Sequence, residues 1–241
     1  MRSFMNTSLC PGIKEMLSYL FMKVLERRPK SYDRRMDALT RGRIRSVKED
    51  VVREIPKGAK VLEIGCGTGE LAAMLVHRGF AVTAFDPNSA MAGLARERAM
   101  REDIGDRLSI KDMGVEGMDA LPAATYDAVV STLVLSELSN QERRFALAHA
   151  RRVLKAKGII VIADEVIPRN LLLRILQALF RIPLLALTYL VSRTATRPIA
   201  DLTGELRTAG FSIKKEIRMQ GDAFSLVVGS VPENRHGEWK P

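Results

Sequence analysis

The stretch Val61-Leu-Glu-Ile-Gly-Cys-Gly-Thr-Gly69 constrains this chain more than any other. A short apolar run leads straight into three glycines, and an apolar-periodic segment follows them. A buried strand that turns within a few residues into a helix needs backbone angles that only glycine adopts cheaply. Such a turn also lets a ligand approach the backbone. Two readings fit: a plain tight strand–helix turn, and a ligand-binding loop. The sharper form of the second is the dinucleotide fingerprint, Gly-x-Gly-x-x-Gly, with a pyrophosphate on the helix N-terminus. Here the third glycine comes one residue early, and Glu70 stands where the dinucleotide glycine would be. A carboxylate at that point would repel a pyrophosphate. The loop therefore suits a ligand without phosphates that bears positive charge.

Around this loop, short apolar runs alternate with helical patterns. Strands are expected at Lys60–Ile64, Ala81–Phe85, Leu108–Lys111, Tyr126–Thr132 and Ile159–Ala163. Helices are expected at Thr68–Arg78, Ser89–Arg101 and Gln141–Leu154, the last stopped by Gly158. Alternation of this kind implies right-handed βαβ units and a parallel sheet in an α/β, three-layer, doubly wound domain. The tail differs: a helix over Leu202–Ala209 precedes two runs, Phe211–Met219 and Ala223–Val228, that read as closing antiparallel strands. At the other end, Ile13, Met16, Leu17, Leu20, Phe21, Val24 and Leu25 recur at amphipathic-helix spacing, and Pro29 ends the pattern. Ile44, Val47, Val51 and Val52 mark a second helix. Residues 1–48 are thus expected to form a basic helical cap, and residues 49–241 the main domain.

Residues 169–200 read as an insertion, a helical lid or interfacial element after the fifth strand. The run from Leu171 to Val191 is strongly apolar, but Arg174 and Arg181 lie inside it and Pro183 breaks it. Each arginine is costly at mid-bilayer, which disfavours a true membrane span.

The formal charge of +10 on 241 residues invites a nucleic-acid or membrane-surface reading. Its distribution argues otherwise. Residues 1–48 carry net +8 and residues 169–200 net +5, whereas residues 49–168 carry net −3. The positive charge therefore belongs to the two apolar segments expected to roof the sheet. With aromatics at 5% and no stacking-and-basic recognition module, no nucleic-acid partner is expected. An anionic membrane surface remains a possible docking site. Cys10 and Cys66 make neither a disulfide framework nor a zinc set, and no apolar leader opens the chain. A cytoplasmic location, peripheral to the membrane at most, is the expectation, with no metal.

Further polar residues fall where strands end. Asp86 closes the second strand, placed to accept two ribose hydroxyls; alone, before Pro87-Asn88, it would read as a turn former. Asp112 follows the third strand, placed for an adenine amino group, with Met113 packing on the ring. Ser131 and Thr132 end the fourth strand and should face the ligand crevice. S-adenosylmethionine offers the matching parts: a sulfonium, an ammonium, a ribose and an adenine.

At these residues the sequence resembles the class I S-adenosylmethionine-dependent methyltransferases. VLEIGCGTG matches their first motif, FDPNSAM (Phe85–Met91) the ribose stretch, LPAATYDAVVS the middle strand and RRVLKAKGIIVIADE (Arg151–Glu165) the following helix and strand. The resemblance covers roughly residues 40–230. It implies a seven-stranded sheet of order 3-2-1-4-5-7-6 with the last strand antiparallel. It also implies S-adenosylmethionine held by Glu63, Gly65, Cys66, Gly67, Thr68, Gly69, Asp86, Pro87 and Met91. SYDRR (Ser31–Arg35) is similar to the quinone C-methyltransferase-like branch, in which a tyrosine closes over the cofactor; Tyr32 takes that place. YLFMKVLE (Tyr19–Glu26), STLVLSELS (Ser131–Ser139), ADEVIPR (Ala163–Arg169) and RIPLLALTY (Arg181–Tyr189) are similar to methyltransferases associated with corrinoid proteins. The Arg-Asn pair of true quinone methylases is replaced by Ser136-Glu137.

Methyl transfer from a sulfonium is an in-line displacement, so alignment dominates and a base helps only if the acceptor loses a proton. Glu137 is the candidate base or acceptor-orienting group; its bland alternative is a helix-entry carboxylate bonded to backbone. His77, His149 and His236 fall on outer helices or the tail. Thr188, Tyr189, Arg193 and Arg197 are the polar groups expected to reach an acceptor. The expected function is methyl transfer to a hydrophobic small molecule or a corrinoid-linked acceptor. An RNA methyltransferase and a non-catalytic S-adenosylmethionine-binding partner protein are the competing expectations.

Overall fold

The computed structural model describes residues 32–40, 42–170, 174, 197–219 and 221–233. The helix expected over residues 13–25 and almost all of the apolar run 170–192 lie outside the described residues. Among the described residues no helix is long and apolar enough to cross a membrane.

The strands are β1 (Lys60–Ile64), β2 (Ala81–Asp86), β3 (Leu108–Asp112), β4 (Tyr126–Thr132), β5 (Leu154–Glu165), β6 (Ser212–Met219) and β7 (Phe224–Ser230). They form one sheet, ordered β3-β2-β1-β4-β5-β7-β6. The first five run parallel, and β7 runs antiparallel to both β5 and β6. The order and the reversed last strand are those that the resemblance implied.

The helices are α1 (Tyr32–Thr40), α2 (Arg43–Arg53), α3 (Glu70–His77), α4 (Ser89–Arg101), α5 (Asn140–Val153) and α6 (Leu202–Thr208). They cover both faces, which is why the central strands are apolar runs rather than alternations. Successive strand residues point to opposite faces. Val61 accordingly packs with Ile44, Val47 and Val51 of α2 and Leu71 and Leu75 of α3. Leu62 and Ile64 pack on the other side with Leu147 and Val153 of α5 and Leu206 of α6.

Several boundaries differ from the sequence expectation, each for a local reason. α3 starts at Glu70, not Thr68, because Gly69 precedes it in the left-handed region at φ 76°. α5 starts at Asn140 because Ser139 and Glu142 close a reciprocal capping box. β5 is longer than Ile159–Ala163 at both ends. Asp164 and Glu165 stay in the strand because β7 pairs with them through Ser225 and Phe224. α2 runs through residue 48, so the expected cap boundary falls inside a helix whose buried face belongs to the main core.

Candidate active site

The glycine loop folds back over the end of β2. The amides of Gly65 and Cys66 both donate to the Phe85 carbonyl at 2.9 Å. Gly65 sits at φ 71°, and a Cβ there would lie 2.3 Å from Val134 Cγ2. A Cβ on Gly69 would lie 2.8 Å from Ala95 Cβ on α4. Gly67 differs: it also has positive φ, but nothing lies within 4 Å of its Cβ position. Two glycines thus permit close packing of loop on protein, and the middle one leaves open space for a ligand. Gly67 also donates its amide to Asp86 Oδ2 at 2.8 Å, and Asn88 donates to Asp86 Oδ1 at 2.9 Å. These bonds lock the Asp86 carboxylate at the end of β2.

The loop opens on a cavity of about 300 Å³. Its walls include Tyr32, Glu63, Gly65, Cys66, Gly67, Thr68, Asp86, Pro87, Met91, Thr132 and Glu137 from the expected set. Among the described residues eight that line it are Asp or Glu, and Lys48 is the single lining lysine or arginine. A cavity so lined favours a cationic ligand. Glu63 is central to this. It is 3% exposed, and its Oε2 has no hydrogen-bond partner. Burial, with Asp86 and Glu70 nearby, pushes its carboxyl up to about 8, against the weaker opposing pull of Lys48. Burial, with Glu63 and Asp86 close by, likewise pushes the Cys66 thiol upward, which makes it an inert wall rather than a nucleophile.

The cap side carries contacts that local sequence patterns did not reveal. Lys48 Nζ of α2 meets Glu70 Oε2 at 2.5 Å, both side chains largely buried. Glu70 is therefore answered by a lysine, and its charge alone does not exclude a pyrophosphate; the acidic lining as a whole does so. Asp33 of α1 accepts a bond from Thr68 Oγ1 at 2.6 Å and pairs with Arg98 of α4. Arg98 also donates to the Thr68 carbonyl at 3.0 Å. The Thr68 hydroxyl thus ties α1 to the loop. Met36 and Ile44 complete this wall.

Opposite lies the end of β4. Thr132 lines the cavity, and its buried hydroxyl has no hydrogen-bond partner. Ser131 points the other way, as strand alternation demands, and bonds the Ile64 carbonyl at 3.4 Å. Leu133 then adopts φ 62°, a left-handed conformation costing a leucine roughly 1–2 kcal/mol. Strain of this sort collects where a chain is bent around a site. A 3-10 turn over Leu135–Glu137 follows and brings Glu137 to the cavity wall. The turn is fastened by Asp164, fully buried at the end of β5, which accepts from the Ser136 amide at 3.3 Å and the Glu165 amide at 2.7 Å. The Arg197 amide donates to the Ser136 carbonyl at 2.7 Å. Residue 197 therefore docks against this turn through its backbone, while its side chain is exposed.

Asp112 and Met113 are not among the cavity's lining residues. The third strand keeps pairing to its end, Asp86 opposite Asp112, and Asp112 meets Arg96 at 2.9 Å on the surface. Gly114, Val115 and Glu116 of the next turn form the wall instead. Thr188, Tyr189 and Arg193 lie outside the described residues. Missed from the sequence were Lys48, Met36, Ile44, Val115, Glu116, Leu133, Val134 and Leu138. For Lys48 and Ile44 a signal existed, since both lie on one pattern-readable helix, but its orientation over the cavity did not.

Residues 61–158 match the family model described as a methyltransferase domain. That stretch carries the glycine loop, Asp86 and the turn with Glu137. Residues 61–158 thus resemble a methyltransferase domain. An uncharacterized methyltransferase of Bacillus licheniformis is 35% identical over 121 residues, covering 49% of this chain and 52% of that protein. A demethylmenaquinone methyltransferase of Tropheryma whipplei is 32% identical over 117 residues, 48% of this chain and 46% of that one. The chain spans about half the length of the curated relatives it matches. Among solved structures, the 1,6-didemethyltoxoflavin-N1-methyltransferase of Burkholderia thailandensis, bound to S-adenosylhomocysteine, superposes with TM-score 0.64. It covers 87% of this chain and 88% of its own at 17% identity, a likeness of fold. The cofactor class of such a methyltransferase domain, S-adenosylmethionine, suits the residues present: an unpartnered buried carboxylate for its ammonium, a locked aspartate for its ribose, and an open glycine face.

Proposed function

We propose that the chain transfers a methyl group from S-adenosylmethionine to an apolar small-molecule acceptor. The observation that carries this is the unpartnered Oε2 of Glu63 in an acid-lined cavity beside the locked Asp86. A carboxylate kept from water without a partner costs several kcal/mol, so the site is built to be completed by a cation.

When bound, S-adenosylmethionine supplies an electrophilic methyl group on a sulfonium. The chain's residues supply placement. Glu63 accepts from the ammonium and Asp86 from the ribose hydroxyls, while Gly67 leaves room for the ligand against the backbone. Val115 and Glu116 stand where Asp112 and Met113 were expected to receive the adenine. Tyr32, Met36 and Ile44 shield the site from water on the cap side. Alignment of nucleophile, methyl and leaving sulfur supplies most of the rate enhancement. Glu137 orients the acceptor, and accepts its proton where the acceptor has one to lose.

The apolar acceptor is supported by the walls beside Glu137: Leu133, Val134 and Leu138. A quinone ring precursor, the substrate class in the name of the Tropheryma relative, is not favoured, because Ser136-Glu137 replaces the Arg-Asn pair. The acidic lining also disfavours an RNA strand entering the cavity, since each phosphate would meet carboxylates. The basic segments 1–48 and 169–200 remain a proposed docking surface for an anionic membrane or a corrinoid protein.

Isothermal titration with S-adenosylmethionine and S-adenosylhomocysteine tests the cofactor. Binding of both is expected, and no heat with either at any pH overturns the reading. Transfer of labelled methyl to a panel of apolar phenols and amines, a corrinoid protein and total RNA tests the acceptor. Label in RNA or the corrinoid protein alone overturns the small-molecule assignment.

A further inference from the structure

Among the described residues Glu63 is the one buried cavity-lining carboxylate with an orphaned oxygen, and its surroundings decide its charge before a ligand arrives. From α2, Lys48 faces it but is already paired to Glu70 at 2.5 Å. Glu70 itself stands at the start of α3. From β2 comes Asp86, whose two oxygens accept amides of Gly67 and Asn88. Next in the loop is the buried, neutral Cys66 thiol. Across the sheet its register partners are Ala84 of β2 and Val130 of β4, which carry no charge. From α1, Tyr32, Asp33 and Asp37 line the same cavity, and Asp33 is engaged with Thr68 and Arg98. The described charges that act directly on Glu63 are thus the carboxylates of Asp86 and Glu70 and the ammonium of Lys48, each already engaged. Among the described residues no further cation stands beside Glu63 to neutralise a third buried anion.

We infer that the empty site holds Glu63 as the neutral acid, and that binding of the cofactor's ammonium expels that proton to solvent. The inference rests on the proposed cofactor. Its balance is simple: the Glu63 O–H bond breaks, the proton goes to buffer, and the carboxylate pairs with the ammonium. A carboxyl that burial holds near 8 is mostly protonated at neutral pH, and an adjacent cation restores its ordinary acidity. Binding at about pH 7 then releases close to one proton, roughly 0.9 by linkage. Affinity accordingly rises with pH, about twenty-fold between about pH 6 and about pH 7.5, and levels off above pH 8. Lys48 is assigned a tuning role: its charge makes Glu63 a stronger acid than burial alone would leave it, although it makes no bond to it.

The test is calorimetric titration of the full chain with S-adenosylhomocysteine in two buffers of different ionisation enthalpy, such as phosphate and Tris. Heats that differ by close to one buffer ionisation enthalpy are the expected result. Equal heats, with binding intact, overturn the proton exchange and leave the cofactor reading standing. No binding in either buffer at any pH fails the cofactor reading instead. In Glu63→Gln, buffer dependence is expected to vanish and the affinity to become nearly independent of pH. Undiminished proton release in that variant overturns the assignment to Glu63. Lys48→Met is expected to move the rise in affinity to higher pH; a wild-type profile there overturns the tuning role. Should Glu63→Gln fail to fold, the two-buffer measurement on the unaltered chain still decides the exchange.

Discussion

The loop after β1 and the turn after β4 lie side by side at the carboxyl end of the sheet, and each has a buried carboxylate. Asp164, behind the turn, is saturated: the amides of Ser136 and Glu165 donate to it. Glu63, behind the loop, has one oxygen without any partner. Both carboxyls are pushed upward by burial, yet only one is supplied with backbone donors. The saturated group holds protein against protein, and the unsaturated one faces the cavity. A buried polar group left incomplete in a folded chain calls for an explanation, and at Glu63 the adjoining cavity offers one.

The contrast can be broken most forcefully at Gly65. Gly65→Ala puts a Cβ against Val134 and a side chain at φ 71°, joining the loop's failure to the turn's. A loss of about 4 kcal/mol in stability is expected by chemical denaturation, together with loss of cofactor binding. A cofactor affinity within threefold of wild type would show that the two regions move independently.

The second prediction concerns pH. The Glu63 carboxyl ionises at its ordinary value near 4.5 in the unfolded chain and at about 8 in the folded one. Between those values the folded state binds the extra proton, so ligand-free stability falls as pH rises through that window and is flat above it. Wild type should lose on the order of 3 kcal/mol between about pH 5 and about pH 7.5 relative to Glu63→Gln, read from urea midpoints. Identical pH profiles would mean that Glu63 is not the proton holder.

Asp164→Ala should behave differently, leaving the Ser136 and Glu165 amides without their acceptor. A loss of roughly 2 kcal/mol is expected, with the affinity for S-adenosylhomocysteine changed less than about threefold. A tenfold loss of cofactor affinity would erase the division between the two regions. The smallest effect is expected at Asp112. Its pair with Arg96 is about half exposed on both sides, so Asp112→Asn should change stability by less than about 0.5 kcal/mol and leave cofactor affinity unchanged. A marked loss of affinity would restore Asp112 to the adenine site.

The cofactor half was largely legible in the sequence. Gly65, Gly67, Gly69, Asp86 and Glu63 act through backbone angles and strand ends, which are local properties. Ser131 and Thr132 were legible only as a pair; register decided that Thr132 lines the cavity and Ser131 does not. Asp112 falls outside the cavity lining because the third strand runs one residue further than its apolar pattern. The acceptor half was the least legible. Glu137 was found from its position after a strand, but its support by Asp164 and the docking of Arg197 join residues 28 and 61 positions apart in sequence.

By itself the sequence determined the sheet, the glycine loop and the acidic character of the central segment. Apolar periodicity and glycine content act over a few residues, and a strand-to-helix turn is encoded within them. Only the tertiary structure decided that Lys48 answers Glu70, that the Thr68 hydroxyl serves Asp33 rather than a ligand, and that Glu63 is left unanswered. Those outcomes depend on which charges meet at the cavity wall. Whether a carboxylate is paired or orphaned is set by distances between helices and strands that no local pattern records.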